Sequence, residues 1–283
     1  MSASMNPSLQ PLTPSSQLER LGIVSYTNVA PLHWRLEPWE GASFVKGVPT
    51  QLNAQLLAGE IDLTLISSIE FLKHRQLLKA LPDFSIATLG PVYSVMLFHW
   101  EPWNALQGKR IAITTDSATS AELLRILLRE TGIQADFVPV APNLETMLKN
   151  HDAALLIGDD ALSEAVAKRS IAGKQPLITD LGEAWYKLTK LPFTFAVWAS
   201  RKDRPPSDLL VAKLRAAREL GLGQLAKVSK PEAEKLGLSP AIIQRYLANF
   251  RYYLEPPDRD GLLTFAKKVL PEFKEKELEF WEL

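Results

Sequence analysis

The chain has 283 residues, a length that suggests about two domains. Hydrophobic residues make up 46% and charged residues 23%, which excludes a disordered or fibrous chain as a good interpretation. The 32 Lys and Arg residues balance the 32 Asp and Glu residues, so no net positive field draws nucleic acid or anionic lipid to the whole surface. Cysteine is absent, which excludes disulfides, thiolate nucleophiles and cysteine-ligated metals.

The N-terminal residues, 1–17, are rich in Ser and Pro and are predicted to form a disordered tail. They lack the basic start and the apolar run of about 7 to 15 residues that a signal peptide needs. No other segment approaches the roughly 20 consecutive apolar residues that span a bilayer. These features predict a cytoplasmic protein without a membrane segment.

Short β-rich segments alternate with amphipathic helical segments from Leu21 onward, which is typical of an α/β architecture with a largely parallel sheet. Strands are predicted at residues 21–25, 43–48 and 61–66. Pro49 suits the first turn of a helix between the last two strands, and Leu52 and Leu56 share one of its faces. Gly59 is placed to end that helix. This part of the chain predicts a βαβ unit.

A second α/β series follows an extended segment at residues 85–98, interrupted by Pro91, and a crossing segment at residues 100–108. Its first helix is predicted at residues 121–130, where apolar residues recur four apart. Strands of this series are predicted at residues 110–114, 137–140, 153–157 and 193–199. Later helices are predicted at residues 209–220, 242–250 and 262–269.

This order predicts two lobes with a ligand cleft between them. The first lobe is discontinuous and comprises residues 18–107 and 200–283, and the second comprises residues 108–199. Two crossings between lobes form a hinge, which we expect near residues 106–109 and 199–202.

Motifs for metal and nucleotide chemistry are absent from the sequence. None of the four histidines has the spacing of paired metal ligands, so no metal site is predicted. The sequence contains no GxxxxGK(S/T) or GxGxxG phosphate loop and no GxSxG nucleophile elbow.

Small polar residues follow several predicted strands, at the edge where α/β sheets place their ligands. They lie at residues 25–28, 67–68, 93–94, 114–120 and 158–160. Many also suit helix caps: Thr119 and Glu122 have the spacing of a capping box, and Asp159 or Asp160 suits an N-cap. Asn28 is less easily explained as a cap, because Pro31 makes its segment a turn. Together these residues and the helix N-termini predict a neutral site for a carboxylate, in an enzyme or in a solute-binding protein.

Short segments that follow one another in the same order along about 170 residues resemble one known family, the chorismate dehydratases of the futalosine route to menaquinone. These segments are SYTNVAPL (25–32), VPTQLN (48–53), LLAGEID (56–62), ISSIE (66–70), GPVYSV (90–95), TS (119–120), IGDDAL (157–162), DLG (180–182) with Trp185, and LPF (191–193). Lys190 departs from the pattern, because Gly is expected before LPF. The resemblance implies the type II periplasmic-binding-protein fold.

The resemblance also implies an activity, the loss of water from chorismate, with no metal or organic cofactor. Asn28 and Ser94 are the implied catalytic residues: Asn28 orients the leaving hydroxyl or the enolpyruvyl group, and Ser94 binds a carboxylate. The implied substrate-binding residues are Ser68, Thr119, Ser120 and Asp160.

No His, Lys or Glu stands out as a general base. One hypothesis is therefore that the substrate's own enolpyruvyl carboxylate removes the ring proton. The alternative function is a binding protein for a small aromatic or carboxylic acid.

Overall fold

The computed structural model describes residues 18–115 and 118–282, so the predicted tail lies outside the described residues. Within that part of the chain the strands are β1 (Glu19–Val24), β2 (Ala42–Gly47), β3 (Leu63–Ser67), β4 (Leu78–Thr88), β5 (Val95–His99), β6 (Arg110–Thr114), β7 (Asp136–Val140), β8 (Ala153–Ile157), β9 (Leu177–Asp180) and β10 (Phe193–Arg201).

The α-helices alternate with these strands and then follow them. They are α1 (Pro49–Ala58), α2 (Ser68–Lys73), α3 (Ala118–Glu130), α4 (Leu144–Asn150), α5 (Gly158–Ala167), α6 (Leu181–Thr189), α7 (Asp208–Gly223), α8 (Leu225–Leu236), α9 (Pro240–Ala248) and α10 (Pro256–Val269). Short 3-10 helices lie at Thr27–His33, Trp103–Ala105 and Glu275–Glu277.

Two five-stranded sheets organise the described residues, in the orders β2-β1-β3-β10-β4 and β7-β6-β8-β5-β9. In the first sheet β1 runs parallel to β2 and β3, whereas β10 lies antiparallel between β3 and β4. In the second sheet β6 runs parallel to β7 and β8, whereas β5 lies antiparallel between β8 and β9. The predicted α/β, two-lobed architecture is confirmed.

The first helix forms as its end signals predict. Pro49 occupies the first turn of α1, and Gly59 ends it with a φ of 75°. Leu52 and Leu56 are fully buried and face the core. Since β1, β2 and β3 are parallel neighbours, the predicted βαβ unit is also present.

Two strands lie in a different sheet from the one that their position in the sequence predicts. β5 lies in the second sheet, although its residues were expected in the first lobe, and β10 lies in the first sheet, although residues 193–199 were expected to close the second series. Both strands are apolar and largely buried, so their residue pattern does not distinguish one sheet from the other.

The connections between the two sheets therefore also differ from the expected ones. The chain leaves the first sheet after β4 and returns to it after β9, through α6, before β10. The expected hinge at residues 106–109 joins β5 to β6 within one sheet, and the expected hinge at residues 199–202 begins inside β10. Residues 89–94 and the segment between β9 and β10 are therefore the connections that a movement of the lobes would bend.

An aromatic cluster fixes the second crossing. Trp185 of α6 and Phe265 of α10 contact Phe193 of β10 edge to face, at centroid distances of 5.1 and 5.0 Å. The Trp185 indole N–H also donates to the Pro192 carbonyl oxygen at 3.1 Å. Lys190 ends α6 in the left-handed region with a φ of 64°, which explains why glycine is expected at that turn.

Candidate ligand cleft

A cleft with about 690 Å³ of space free of protein atoms is lined by elements of both sheets. Except for Ser94, the polar lining residues end or follow strands β1, β3 and β6 or lie in the helices α1 and α3, which is the usual ligand position in α/β sheets. The polar lining side chains are Tyr26, Asn28, Thr50, Asn53, Ser67, Ser94, Thr119 and Ser120.

Neutral groups supply the polarity of this cleft. Among the described residues that line it there is no Asp, Glu, Lys, Arg or His. Helices α1, α3 and α5 begin at the cleft, where Thr50, Thr119 and Gly158 lie in their first turns. Helix N-termini carry partial positive charge and unpaired N–H groups, so the cleft favours anionic oxygen without a cationic side chain.

Asn28 brings an unsatisfied oxygen to the cleft. It lies in the 3-10 helix Thr27–His33, and its side-chain Oδ1 is buried without a hydrogen-bond partner among the described residues. The Tyr252 hydroxyl donates to the Asn28 carbonyl oxygen at 3.0 Å, which holds the backbone in place. A buried polar atom without a partner is uncommon in a folded protein, so this amide is suited to a ligand that supplies one.

Ser94 is the last residue of the first connection between the sheets and directly precedes β5. Its Oγ accepts a hydrogen bond from the Tyr246 hydroxyl at 2.8 Å, and it lies 3.5 Å from the Val92 carbonyl oxygen. Ser94 is 2% exposed, and its side chain lines the cleft.

The backbone before Ser94 is clamped by a buried carboxylate. Asp180, the N-cap of α6, accepts hydrogen bonds from the backbone N–H groups of Val92 and Tyr93 and from Glu183. Burial raises the pKa of Asp180, and the same backbone N–H groups oppose the rise. Tyr93 has a φ of 62°, an uncommon conformation for a residue other than glycine, and the clamp supports it.

Thr119 and Ser120 both line the cleft from the start of α3, and each is 2% exposed. Thr119 Oγ1 accepts a hydrogen bond from the Ile69 backbone N–H at 3.1 Å. The Thr119 side chain therefore caps a first-sheet helix, α2, from a helix of the second sheet. Its own hydroxyl proton has no acceptor among the described contacts of residues 18–115 and 118–282.

Two expected site residues do not line the cleft. Ser68 is fully buried, and its hydroxyl donates to the Thr194 carbonyl oxygen at 2.6 Å. Asp160 is exposed in the first turn of α5, which begins after Ile157 rather than at an aspartate N-cap. Their expected role in binding the substrate stays a prediction.

Ser67 takes the place expected for Ser68. It is the last residue of β3 and lines the cleft, and its Oγ accepts a hydrogen bond from Asn53 Nδ2 at 3.0 Å. Ser67 ends β3 and Ser68 begins α2. Since this boundary decides which side chain faces the cleft, the sequence could identify the Ser67-Ser68 pair but not the member that lines it. Asn53 also lines the cleft and was not predicted as a site residue, although it ends the VPTQLN segment that carries the family resemblance.

A polar bridge joins the two sides beside the cleft. Asp159 of α5 accepts from the Thr27 backbone N–H at 3.0 Å and pairs with Lys235 of α8 at 2.7 Å. Lys235 also donates to the Ser25 carbonyl oxygen at 2.8 Å. Gly158 packs beside this bridge with a φ of 62°, where a Cβ would lie 3.2 Å from the Tyr26 ring.

The histidines of the described residues take no part in the cleft lining. His33 is partly buried, and the desolvation of its ring lowers its pKa to about 4. His99 hydrogen-bonds with the Glu101 carbonyl oxygen and with the Thr179 hydroxyl. Within residues 18–115 and 118–282, no cluster of three His, Asp or Glu side chains is arranged to hold a metal ion.

Comparisons with known proteins agree with this description. A sequence model of a family described as menaquinone biosynthesis matches residues 19–270. The chain is 46% identical over 259 residues to a chorismate dehydratase from Thermus thermophilus, in a match that covers 88% of this chain and 94% of the relative. It is 29% identical over 182 residues to a chorismate dehydratase from Campylobacter jejuni, in a match that covers 62% of this chain and 64% of the relative.

Solved structures show the same fold at low sequence identity. The periplasmic aliphatic sulphonate binding protein SsuA from Escherichia coli matches with a TM-score of 0.66 and 17% identity, over 95% of this chain and 93% of that one. Protein AF1704 from Archaeoglobus fulgidus matches with a TM-score of 0.66 and 19% identity, over 91% of this chain and 98% of that one. Every helix in the described part of the chain is too short or too polar to traverse a lipid bilayer.

The two sheets and the cleft between them define a protein of the periplasmic-binding-protein-like class. Within that class, the chain belongs to the menaquinone biosynthesis family.

Proposed function

We propose that this protein is a chorismate dehydratase, a carbon–oxygen lyase that converts chorismate to 3-[(1-carboxyvinyl)oxy]benzoate and water. The observation that carries the proposal is the 46% identity to the Thermus thermophilus chorismate dehydratase over nearly the whole of both chains. The neutral cleft supports it, because chorismate carries two carboxylates and the helix N-termini favour anionic oxygen. A biosynthetic enzyme of this kind is proposed to act in the cytoplasm.

The reaction breaks two bonds on neighbouring ring carbons. The C–H bond breaks at the carbon that bears the enolpyruvyl ether, and its electron pair moves into the ring. The C–O bond to the adjacent hydroxyl breaks, and the hydroxyl leaves with a proton as water. The ring carboxylate, conjugated through the diene, accepts the developing charge before the ring becomes aromatic. Donors at that carboxylate therefore stabilise the transition state more than the ground state.

The lining residues supply these donors. Ser94, Thr119 and Ser120 are proposed to bind carboxylate oxygens, and Ser67 adds a hydroxyl at the same edge of the first sheet. Asn28 is proposed to orient the leaving hydroxyl or the enolpyruvyl group, since its amide oxygen is buried without a partner among the described residues. Closure of the lobes over the substrate would exclude water from the reacting carbons.

The proton acceptor is proposed to be the substrate's own enolpyruvyl carboxylate. The described cleft lining contains no Asp, Glu or His that could act as a base. Glu232 accepts a hydrogen bond from the Thr27 hydroxyl at 2.8 Å, in the bridge beside the cleft. Replacing Asp159, Asp180 and Glu232 one at a time with the corresponding amide tests this step. None should abolish turnover while leaving substrate affinity intact, and any that did would identify an enzyme base.

The function is tested by incubating the purified protein with chorismate, without added metal or cofactor, and separating the products by chromatography with mass detection. We expect carboxyvinyloxybenzoate above the protein-free control. If chorismate persists while a benzoate analogue raises the melting temperature, the protein is a solute-binding protein and the proposal is wrong.

A further inference from the structure

Tyr246 lies behind the cleft rather than in it. This residue of α9 is 2% exposed and does not line the cleft, and its ring packs edge to face on Phe250 at a centroid distance of 5.1 Å. Its hydroxyl makes a hydrogen bond with Ser94 Oγ at 2.8 Å. Tyr246 therefore contacts a residue that lines the cleft but does not line the cleft itself.

The direction of this hydrogen bond follows from what else each hydroxyl can reach. Among the contacts of the described residues, the Tyr246 hydroxyl has Ser94 Oγ as its acceptor and no other. If Ser94 donated instead, the phenolic proton would be buried without an acceptor, which folded proteins rarely allow. Burial also raises the pKa of the Tyr246 phenol well above its ordinary value, and Asp159 and Asp180 add to the rise. Tyr246 therefore stays protonated and donates.

The Ser94 proton is then directed by elimination. Its Oγ accepts from Tyr246, and the Val92 carbonyl oxygen lies 3.5 Å away, at the limit of a hydrogen bond. The remaining direction for the proton is the cleft, which Ser94 lines. Ser94 therefore reaches a bound ligand as a donor, which suits a carboxylate oxygen and not an N–H group.

We propose that Tyr246 is a positioning residue that holds the Ser94 hydroxyl as a donor to a substrate carboxylate. This inference rests on the proposed dehydratase function and extends it to a residue outside the cleft. It predicts that Tyr246 acts through Ser94 alone.

The test is a double-mutant cycle of Tyr246→Phe and Ser94→Ala, with kcat and KM for chorismate measured for each variant. Tyr246→Phe should lower kcat by about tenfold, because Ser94 can then turn its proton away from the substrate. The same change in the Ser94→Ala background should lower kcat no further, whereas a general packing role would lower it by the same factor in both backgrounds. Tyr253→Phe is the matched control, since Tyr253 is partly exposed and hydrogen-bonds Glu219, and it should keep the wild-type kcat.

The outcomes separate this inference from the proposed function. If wild-type protein does not dehydrate chorismate, the function is wrong. If wild-type protein is active but Tyr246→Phe keeps its kcat, or lowers it equally in both backgrounds, the role of Tyr246 is wrong. If Tyr246→Phe does not fold, a variant with 4-aminophenylalanine at position 246 tests the inference instead, because its amino group can still donate to Ser94 Oγ. Activity within about threefold of wild type supports the inference, and a larger loss overturns it.

Discussion

The side-chain oxygen of Asn28 is the clearest mark of a ligand at the scale of single residues, since it is buried without a partner among the described residues. Asn28 could be selected as a candidate from the sequence, because Pro31 makes its segment a turn in which Asn28 is not needed as a helix cap. The contact that holds its backbone could not, because Tyr252 lies 224 residues away in sequence. Ser67 and Ser68 show the same limit, because their surroundings depend on where β3 ends and α2 begins.

Asn28→Asp should lower kcat/KM for chorismate by about a hundredfold, since it places a negative charge against an anionic substrate. The measurement is steady-state turnover. Asn143→Asp is the matched control: Asn143 caps α4 outside the cleft lining, and aspartate caps a helix equally well. Equal turnover by Asn28→Asp and wild type would remove Asn28 from the site.

His33 should make the fold sensitive to mild acid. Burial lowers its pKa from 6.5 to about 4, so between these values the unfolded chain binds more protons than the folded one. The stabilisation is fully present above pH 6.5 and is lost as the pH falls towards 4, up to about 3 kcal/mol. Urea unfolding at several pH values should show that the free energy of unfolding falls less steeply with decreasing pH for His33→Gln than for wild type. Identical slopes for His33→Gln and wild type would contradict this expectation.

At the scale of elements, local signals predict helix ends better than sheet membership. Pro49 and Gly59 bound α1 as predicted, because both act on the backbone of their own turn. β10 was assigned to the wrong sheet, because its position depends on pairing with β3 and β4 and not on its own residues. The contact of Thr119 with the start of α2 was beyond prediction for the same reason.

Gly182 should be required where α6 meets the first crossing. A Cβ at this position would lie 2.6 Å from the Gly90 carbonyl oxygen, so Gly182→Ala must displace the backbone that leads to Ser94. We expect a loss of about 1 to 3 kcal/mol in the free energy of unfolding and a fall in kcat. Gly223→Ala, in α7 with nothing within 4 Å of its Cβ, should be neutral or slightly stabilising. Equal stability of the two variants would show that the close approach has no energetic consequence.

At the scale of the whole molecule, the two sheets meet beside the cleft through Asp159, Thr27 and Lys235. Two lobes could be anticipated from the chain length and from the two strand series. This bridge could not, because Asp159 has the local appearance of a helix cap and its partners lie in distant parts of the sequence.

Asp159→Ala should weaken the closed arrangement by removing both contacts at once. We expect a larger radius of gyration in solution scattering and weaker binding of carboxyvinyloxybenzoate, by about tenfold. The exposed change Asp136→Ala should match wild type in both measurements. If Asp159→Ala leaves scattering and affinity unchanged, the bridge does not hold the lobes together.

The most direct test of the account is turnover of chorismate that carries deuterium on the ring carbon bearing the enolpyruvyl ether. The account predicts carboxyvinyloxybenzoate free of deuterium, because that carbon loses its hydrogen as the neighbouring hydroxyl departs. Chorismate recovered unchanged, or a dehydrated product that retains the deuterium, would contradict it.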